Sequence, residues 1–98
     1  MTITKIQTAS DLTLTLEGRL DTTTAPDLER TVKESLDGVT ALTLDLGGLA
    51  YLSSAGLRVL LSAQKQMNKQ GKMIVRNVNE TILEVFEVTG FSDILTIE

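Results

Sequence analysis

A chain of 98 residues is long enough for one domain with one hydrophobic core. Its 42% apolar residues exclude a disordered chain, whereas 3% aromatics and a net charge of −4 argue against a nucleic-acid-binding surface. Cysteine and histidine are absent, which excludes disulfides, thiolate nucleophiles, the usual zinc sites and imidazole acid–base chemistry.

The chain also lacks the signals of export and membrane insertion. Residues 1–10 contain no apolar stretch of signal-peptide length, and no apolar run approaches the ~20 residues of a membrane span. The absence of cysteine fits the cytosol. We therefore expect a cytoplasmic protein that does not insert directly into a membrane.

Two strands are predicted at the start of the chain. Residues 12–16 alternate leucine with threonine, which is typical of a half-buried strand, and residues 3–7 give a weaker strand pattern. A hairpin at residues 9–11 joins the two strands. Gly18 is expected to end the second one.

A helix and a third strand follow. Thr24 is the predicted N-cap of the helix, Pro26 suits its first turn, and residues 28–36 carry apolar side chains at helical spacing. Residues 42–46 alternate again and predict the third strand. The glycine pair 47–48 is expected to break it.

The second half of the chain alternates helices with short strands. A second helix is expected from Ala55, residues 73–75 suit an interior strand, and Asn79 is the predicted N-cap of a third helix that ends at Gly90. Residues 94–97 form a short edge strand or a final turn. The order β-β-α-β-α-β-α-β predicts an α/β domain over residues 1–98, with a mixed sheet of four to five strands packed against three or more helices.

The candidate chemistry lies in the stretch Tyr51-Leu52-Ser53-Ser54-Ala55-Gly56, at a predicted strand-to-helix junction. The simplest interpretation is an N-cap, because a serine hydroxyl satisfies a free amide there. The alternative is a phosphate acceptor, because a helix N-terminus offers free N–H groups and a positive partial charge. The two interpretations do not exclude each other. Gly56 is expected to keep the first turn open to an approaching kinase.

Three segments resemble STAS domains of the anti-sigma factor antagonist type. Residues 18–25 resemble the family's G-x-L-D-x-x-[TN]-A, and residues 44–57 resemble its L-D-L…[FY]-[IM]-D-S-[ST]-G-[LV]. Residues 89–91 resemble its [ST]-G-[LF]. The resemblance spans nearly the whole chain, with matching element order.

This resemblance implies roles for individual residues. It places the family's phosphorylated serine on Ser54 and a partner-facing acidic residue on Asp21, which by position alone is a turn residue ahead of the Thr24 cap. Two positions depart from the family pattern. Ser53 stands where an aspartate is usual, which makes it a second candidate acceptor, and Ala55 replaces a small hydroxyl residue.

The function that the resemblance implies is partner switching in signal transduction and transcription regulation. The unmodified domain binds an anti-sigma factor that is also a serine kinase, phosphorylation of Ser54 releases it, and a PP2C-like phosphatase resets the domain. The chain itself would be no enzyme and would need no cofactor or metal. The expected partner-binding residues are Asp21, Thr22, Ser53, Ser54, Ala55, Gly56 and Arg58.

An alternative of another class stays open. The chain could be a STAS adaptor subunit of a membrane transport complex, in which the Ser54 loop binds its partner permanently and is not phosphorylated. Co-purification with a transporter, and unchanged binding after Ser54→Asp, would favour the adaptor.

Overall fold

The computed structural model describes all 98 residues and contains a four-stranded mixed sheet with three α-helices and one turn of 3-10 helix. The elements are β1 (Thr2–Thr8), β2 (Asp11–Leu20), α1 (Ala25–Ser35), β3 (Ala41–Leu52), α2 (Ser54–Gln70), β4 (Lys72–Arg76), α3 (Glu80–Thr89) and the 3-10 turn (Phe91–Asp93). The predicted fold class is confirmed. No helix combines the length and apolarity needed to cross a bilayer.

The strands lie side by side in chain order, β1-β2-β3-β4. The hairpin predicted at residues 9–11 makes β1 antiparallel to β2, and Ala9 takes a positive φ of 54° in its turn. β2, β3 and β4 are parallel, because α1 and α2 carry the chain back between them. The carboxyl ends of β2 and β3 therefore lie at the same edge of the sheet.

Two predicted strand ends are wrong. β2 continues past Gly18 to Leu20, and β3 continues past the glycine pair 47–48 to Leu52. The reason is that these extensions pair with each other, through register shifts that flank residues 17–18. Gly18, with φ 101°, accommodates the irregularity instead of ending the strand.

The C-terminal segment forms a bridge to β4 and not a fifth strand. The Val75 amide donates to the Thr96 carbonyl at 2.8 Å, and the Glu98 amide donates to the Val75 carbonyl at 2.9 Å. Only Val75 and Ile97 pair as strand residues. Leu95 is buried beside this bridge, so the last residues cover part of the β4 edge.

The helices cover one face of the sheet. The leucines of β2 and β3, together with Met73 and Val75 of β4, point into a core of 24 buried apolar residues that also takes in Ile82 and Phe86 of α3. Aliphatic side chains dominate this core, as the composition predicts. The opposite face carries Thr4, Thr13, Thr15 and Thr43 and stays open to solvent.

Asn79 anchors α3 beside the sheet. Its side-chain oxygen accepts from the Ile82 amide at 2.9 Å, which confirms the predicted N-cap, and its side-chain nitrogen donates to the Leu49 carbonyl at 2.8 Å. Gly90 ends the helix in the left-handed conformation, with φ 82°.

Candidate functional site

The end of β2 and the start of α2 lie next to each other at the carboxyl edge of the sheet. The Ser53 amide donates to the Leu20 carbonyl at 2.9 Å, which ties the β3–α2 junction to the last residue of β2. The loop that follows Leu20 carries Asp21 and Thr22. The structure therefore brings this loop and Ser54, more than 30 residues apart in sequence, to one end of the molecule.

The two adjacent serines have different environments. Ser53 is the N-cap of α2, half-buried, and its Oγ accepts a hydrogen bond from the Gly56 amide at 3.3 Å. Ser54 is the first helical residue, one position earlier than predicted, and its exposed hydroxyl makes no hydrogen bond within the domain. The cap and the candidate acceptor are therefore two different residues.

Gly56 has a different role from the one expected. It is buried, and a Cβ added there would lie 2.6 Å from Leu20 Cγ and 2.8 Å from Leu52 Cδ1. Its Cα therefore faces the domain's own core and not an approaching protein. The missing side chain lets the first turn of α2 lie directly on the ends of β2 and β3.

Asp21 organises its own loop. One carboxylate oxygen accepts from the Thr23 amide at 3.0 Å, the Thr23 hydroxyl at 2.7 Å and the Thr24 amide at 3.1 Å. These bonds, with that from the Thr23 hydroxyl foremost, lower the pKa of Asp21 below its usual value of 3.8. Asp21 is thus an ionised turn residue whose other oxygen accepts no hydrogen bond and lies 3.7 Å from the Arg19 Nε.

Thr24 stands at the predicted N-cap of α1, but its side chain caps nothing in that helix. Its Oγ1 donates to the Arg19 carbonyl at 2.8 Å and accepts from the Asp21 amide at 2.8 Å. With φ −101° and ψ −20°, its backbone is already helical, whereas a capping side chain requires an extended residue. Asp21 supplies the acceptor for the Thr24 amide instead.

A pair of exposed side chains beside this loop was not predicted from the sequence. The Arg19 guanidinium lies 4.2 Å from the centre of the Tyr51 ring, and its Nε is 3.7 Å from the free oxygen of Asp21. Tyr51 is 42% exposed. Aromatic and arginine side chains are enriched in protein interfaces, so the pair extends the candidate surface beyond the expected residues.

Some of the expected contact residues meet in a shallow groove between α1 and α2. Its volume is about 340 Å³, and it is lined by Thr22, Ala25, Pro26, Glu29, Ala55, Arg58, Val59 and Ser62. Three expected partner-binding residues, Thr22, Ala55 and Arg58, are thus brought together. Arg58 is exposed and has no carboxylate within 4.0 Å.

The site has no visible means of activating a nucleophile. No base is hydrogen-bonded to the Ser54 hydroxyl, and no group of three or more acidic side chains is placed to hold a metal ion. A free primary hydroxyl at an exposed helix start can accept a phosphoryl group from a second protein.

Comparisons with known proteins agree with this architecture. The STAS domain family model matches residues 2–98. The protein BtrV of Bordetella bronchiseptica, assigned to the anti-sigma factor antagonists, is 38% identical over 84 residues, which covers 84% of this chain and 72% of BtrV.

Solved structures share the fold at lower identity. An anti-sigma factor antagonist from Mycobacterium paratuberculosis superposes with a TM-score of 0.88 at 23% identity, covering 98% of this chain and 83% of that one. The Bacillus protein SpoIIAA superposes with TM-scores of 0.79 in its unphosphorylated form and 0.78 in its phosphorylated form, at 18% identity. It covers 99% of this chain in both forms, and 87% and 91% of the two SpoIIAA chains respectively.

Proposed function

Because this chain belongs to the STAS domain family and to its anti-sigma factor antagonists, we propose that it binds an anti-sigma factor that is also a serine kinase. Phosphorylation of Ser54 ends that binding. The chain is the substrate and regulator in this scheme, and the kinase supplies the catalysis.

The observation that supports Ser54 as the acceptor is the difference in environment between Ser53 and Ser54. The Ser53 oxygen is half-buried and engaged by the Gly56 amide, so a phosphate on it would have to displace the cap. Ser54 presents an exposed hydroxyl without an internal partner. A kinase can reach Ser54 with α2 intact.

The modification is a simple phosphoryl transfer. The Ser54 oxygen forms a bond to the γ-phosphorus of ATP while the bond from that phosphorus to ADP breaks, and the hydroxyl proton passes to a base of the kinase. The product carries roughly −1.5 to −2 charges at pH 7. The exposure that admits the kinase also admits a PP2C-like phosphatase, which returns the serine to its hydroxyl form.

The docking surface consists of the residues around this hydroxyl. Asp21 and Thr22 belong to the loop after Leu20, which the Ser53 amide holds beside the start of α2. Ser53 and Ala55 flank Ser54 in the chain, and Arg58 lines the groove between α1 and α2. Gly56 contributes by holding the helix start against the sheet. A phosphate placed in the middle of this surface has to be desolvated on docking, and each ~1.4 kcal/mol of that cost weakens binding tenfold.

The direct test is to incubate the purified protein with its cognate kinase and ATP and to map the phosphate by mass spectrometry. We expect one phosphate on Ser54, none in Ser54→Ala, and modification at Ser54 retained in Ser53→Ala. Circular dichroism checks that both variants are folded. A phosphate on Ser53 instead, or none at all, contradicts the proposal.

Ser54→Asp tests the release step. The added charge is expected to weaken binding to the kinase partner at least tenfold, measured by titration calorimetry. Gln66→Glu adds the same charge on an exposed part of α2 outside the groove and should leave binding unchanged. Binding unchanged by Ser54→Asp would contradict release by charge and would favour a permanently bound adaptor subunit.

A further inference from the structure

Arg58 is a cation one helical turn beyond Ser54 with no partner. Side chains four residues apart on a helix are neighbours, with Cβ atoms ~5–6 Å apart. Both side chains are exposed. The other arginines each have a carboxylate within 4.0 Å: Arg19 with Asp21, Arg30 with Asp27 and Arg76 with Glu98.

The acidic groups around Arg58 are engaged elsewhere. Glu29 lines the same groove, but its carboxylate lies 3.0 Å from the Lys33 ammonium. The Asp21 carboxylate accepts hydrogen bonds from Thr23 and Thr24 of its own loop and lies 3.7 Å from the Arg19 Nε. The first turn of α2 contains no acidic residue. No carboxylate of the domain therefore lies within 4.0 Å of the guanidinium.

We propose that Arg58 binds the phosphate of phosphorylated Ser54 within the same helix, so that the domain holds its own modification. This inference rests on the proposed function, in which Ser54 is the acceptor. A guanidinium presents a planar fork of N–H donors that matches phosphate oxygens, and the i to i+4 spacing brings the two groups together without moving the backbone.

The pairing gives phosphorylation a second effect on the docking surface. In the unmodified domain the Arg58 donors are free in the groove between α1 and α2. Once the phosphate recruits them, a partner carboxylate or carbonyl that used them loses its donors. Release then follows both from the added anion and from the withdrawal of this cation.

The test places phosphoserine at residue 54 during translation, through an expanded genetic code, so that no kinase is needed. Phosphorus NMR then follows the second ionisation of the phosphate against pH. We expect its pKa to lie below the usual value of about 6 in the wild-type domain, and to rise by roughly 0.3 to 0.7 pH units in Arg58→Gln. Arg58→Lys keeps a charge and should recover part of the shift.

Lys65→Gln is the matched control. Lys65 is exposed on the same helix, and its position 11 residues beyond Ser54 puts it about 16 Å along the axis, farther than the Debye length of about 8 Å at physiological salt. The Lys65→Gln substitution removes one positive charge at a position that does not contact the phosphate. The N-terminus of α2 is the same in every variant. Equal pKa values in wild type and Arg58→Gln overturn the pairing.

The two failures can be told apart. A kinase that leaves Ser54 unmodified defeats the proposed function but does not affect the comparison of phosphate pKa values. Equal pKa values defeat the pairing with Arg58 but leave release by the added charge intact.

Discussion

Ser53 and Ser54 show how one backbone step decides what a hydroxyl can do. The extended backbone of Ser53, with ψ 172°, directs its side chain towards the free amides of the helix. Its Oγ accepts a hydrogen bond from the Gly56 amide there. Ser54 is already inside the helix, and its hydroxyl makes no hydrogen bond to those amides. The same chemical group is therefore a structural element at one position and a free acceptor at the next.

Stability measurements should separate the two serines. Ser53→Ala removes the cap and is expected to lower the free energy of unfolding by about 1 kcal/mol, whereas Ser54→Ala should leave it unchanged or raise it slightly, because alanine favours the helix. Urea unfolding followed by circular dichroism measures both. An equal loss in the two variants would mean that Ser54 has a structural role.

The Asp21 carboxylate predicts a dependence of stability on pH. Because its hydrogen bonds lower its pKa in the folded state, ionised Asp21 stabilises the fold above its ordinary pKa of 3.8, and this contribution is lost as the pH falls through the lowered value. The melting temperature of wild type should exceed that of Asp21→Asn by a constant amount down to about pH 5, and the difference should shrink at lower pH.

Asp37→Asn is the control for that series. Asp37 is exposed and accepts no side-chain hydrogen bond, so its replacement removes a carboxylate without removing a loop contact. If the difference in melting temperature between wild type and Asp21→Asn persists unchanged at pH 2, the side-chain amide of the variant disturbs the loop. The loss of the carboxylate charge is then not the cause of the destabilisation.

Residue-level prediction from the sequence succeeded at the helix caps Asn79 and Gly90 but failed at Thr24, whose side chain does not cap α1. It could not tell which serine caps α2, because that depends on a helix boundary that shifts by one residue. The contact between Arg19 and Tyr51 was also out of reach, because it depends on a parallel register with two irregularities.

At the scale of elements, pairing between strands overrides local glycine signals. The extensions of β2 and β3 contain three glycines, yet they pair to their ends because each supplies the hydrogen-bonding partner of the other. A single sequence shows the glycines but not the partner strand. The strand segments at residues 12–16 and 42–46 were predicted correctly, because the alternation of apolar and polar residues is visible without knowledge of the partner strand.

The close contact of α2 with the strand ends predicts the effect of Gly56→Ala. The added Cβ would overlap Leu20 and Leu52, so the helix start has to shift, and we expect a loss of about 1–3 kcal/mol of stability. That loss lowers the melting temperature by roughly 4–8 °C per kcal/mol. Ser62→Ala, on the exposed side of α2, should change stability by less than about 0.5 kcal/mol.

The result for Gly56 also bears on function, since Ser54 lies two residues before it. A Gly56→Ala variant that melts like wild type would show that the first turn of α2 is not tightly packed on the sheet. Differential scanning calorimetry on the three proteins is sufficient.

At the scale of the whole molecule, β2 and β3 are each paired on both sides, whereas β1 has one free edge. Native-state hydrogen exchange should therefore show the slowest amides in β2 and β3 and faster exchange in β1. Protection in β1 that equals that of β3 would indicate that another chain covers the free edge.

The element order was sufficient to predict the layered α/β architecture, because helices that connect parallel strands have to cover the sheet. It was not sufficient for the number of strands. The segment at residues 94–97 has the composition of a strand, but the 3-10 turn before it leaves only Ile97 in position to pair with β4.

The open, threonine-bearing face of the sheet offers a place to attach a reporter. The chain has no cysteine, so a single one introduced at Thr4 carries the only thiol and takes one maleimide dye. Thr4 is exposed on β1, at the edge strand of the sheet and away from the helix-covered side. Fluorescence anisotropy of the labelled domain can then follow the binding and release of a kinase in real time. The dye does not occupy the proposed docking surface around Ser54.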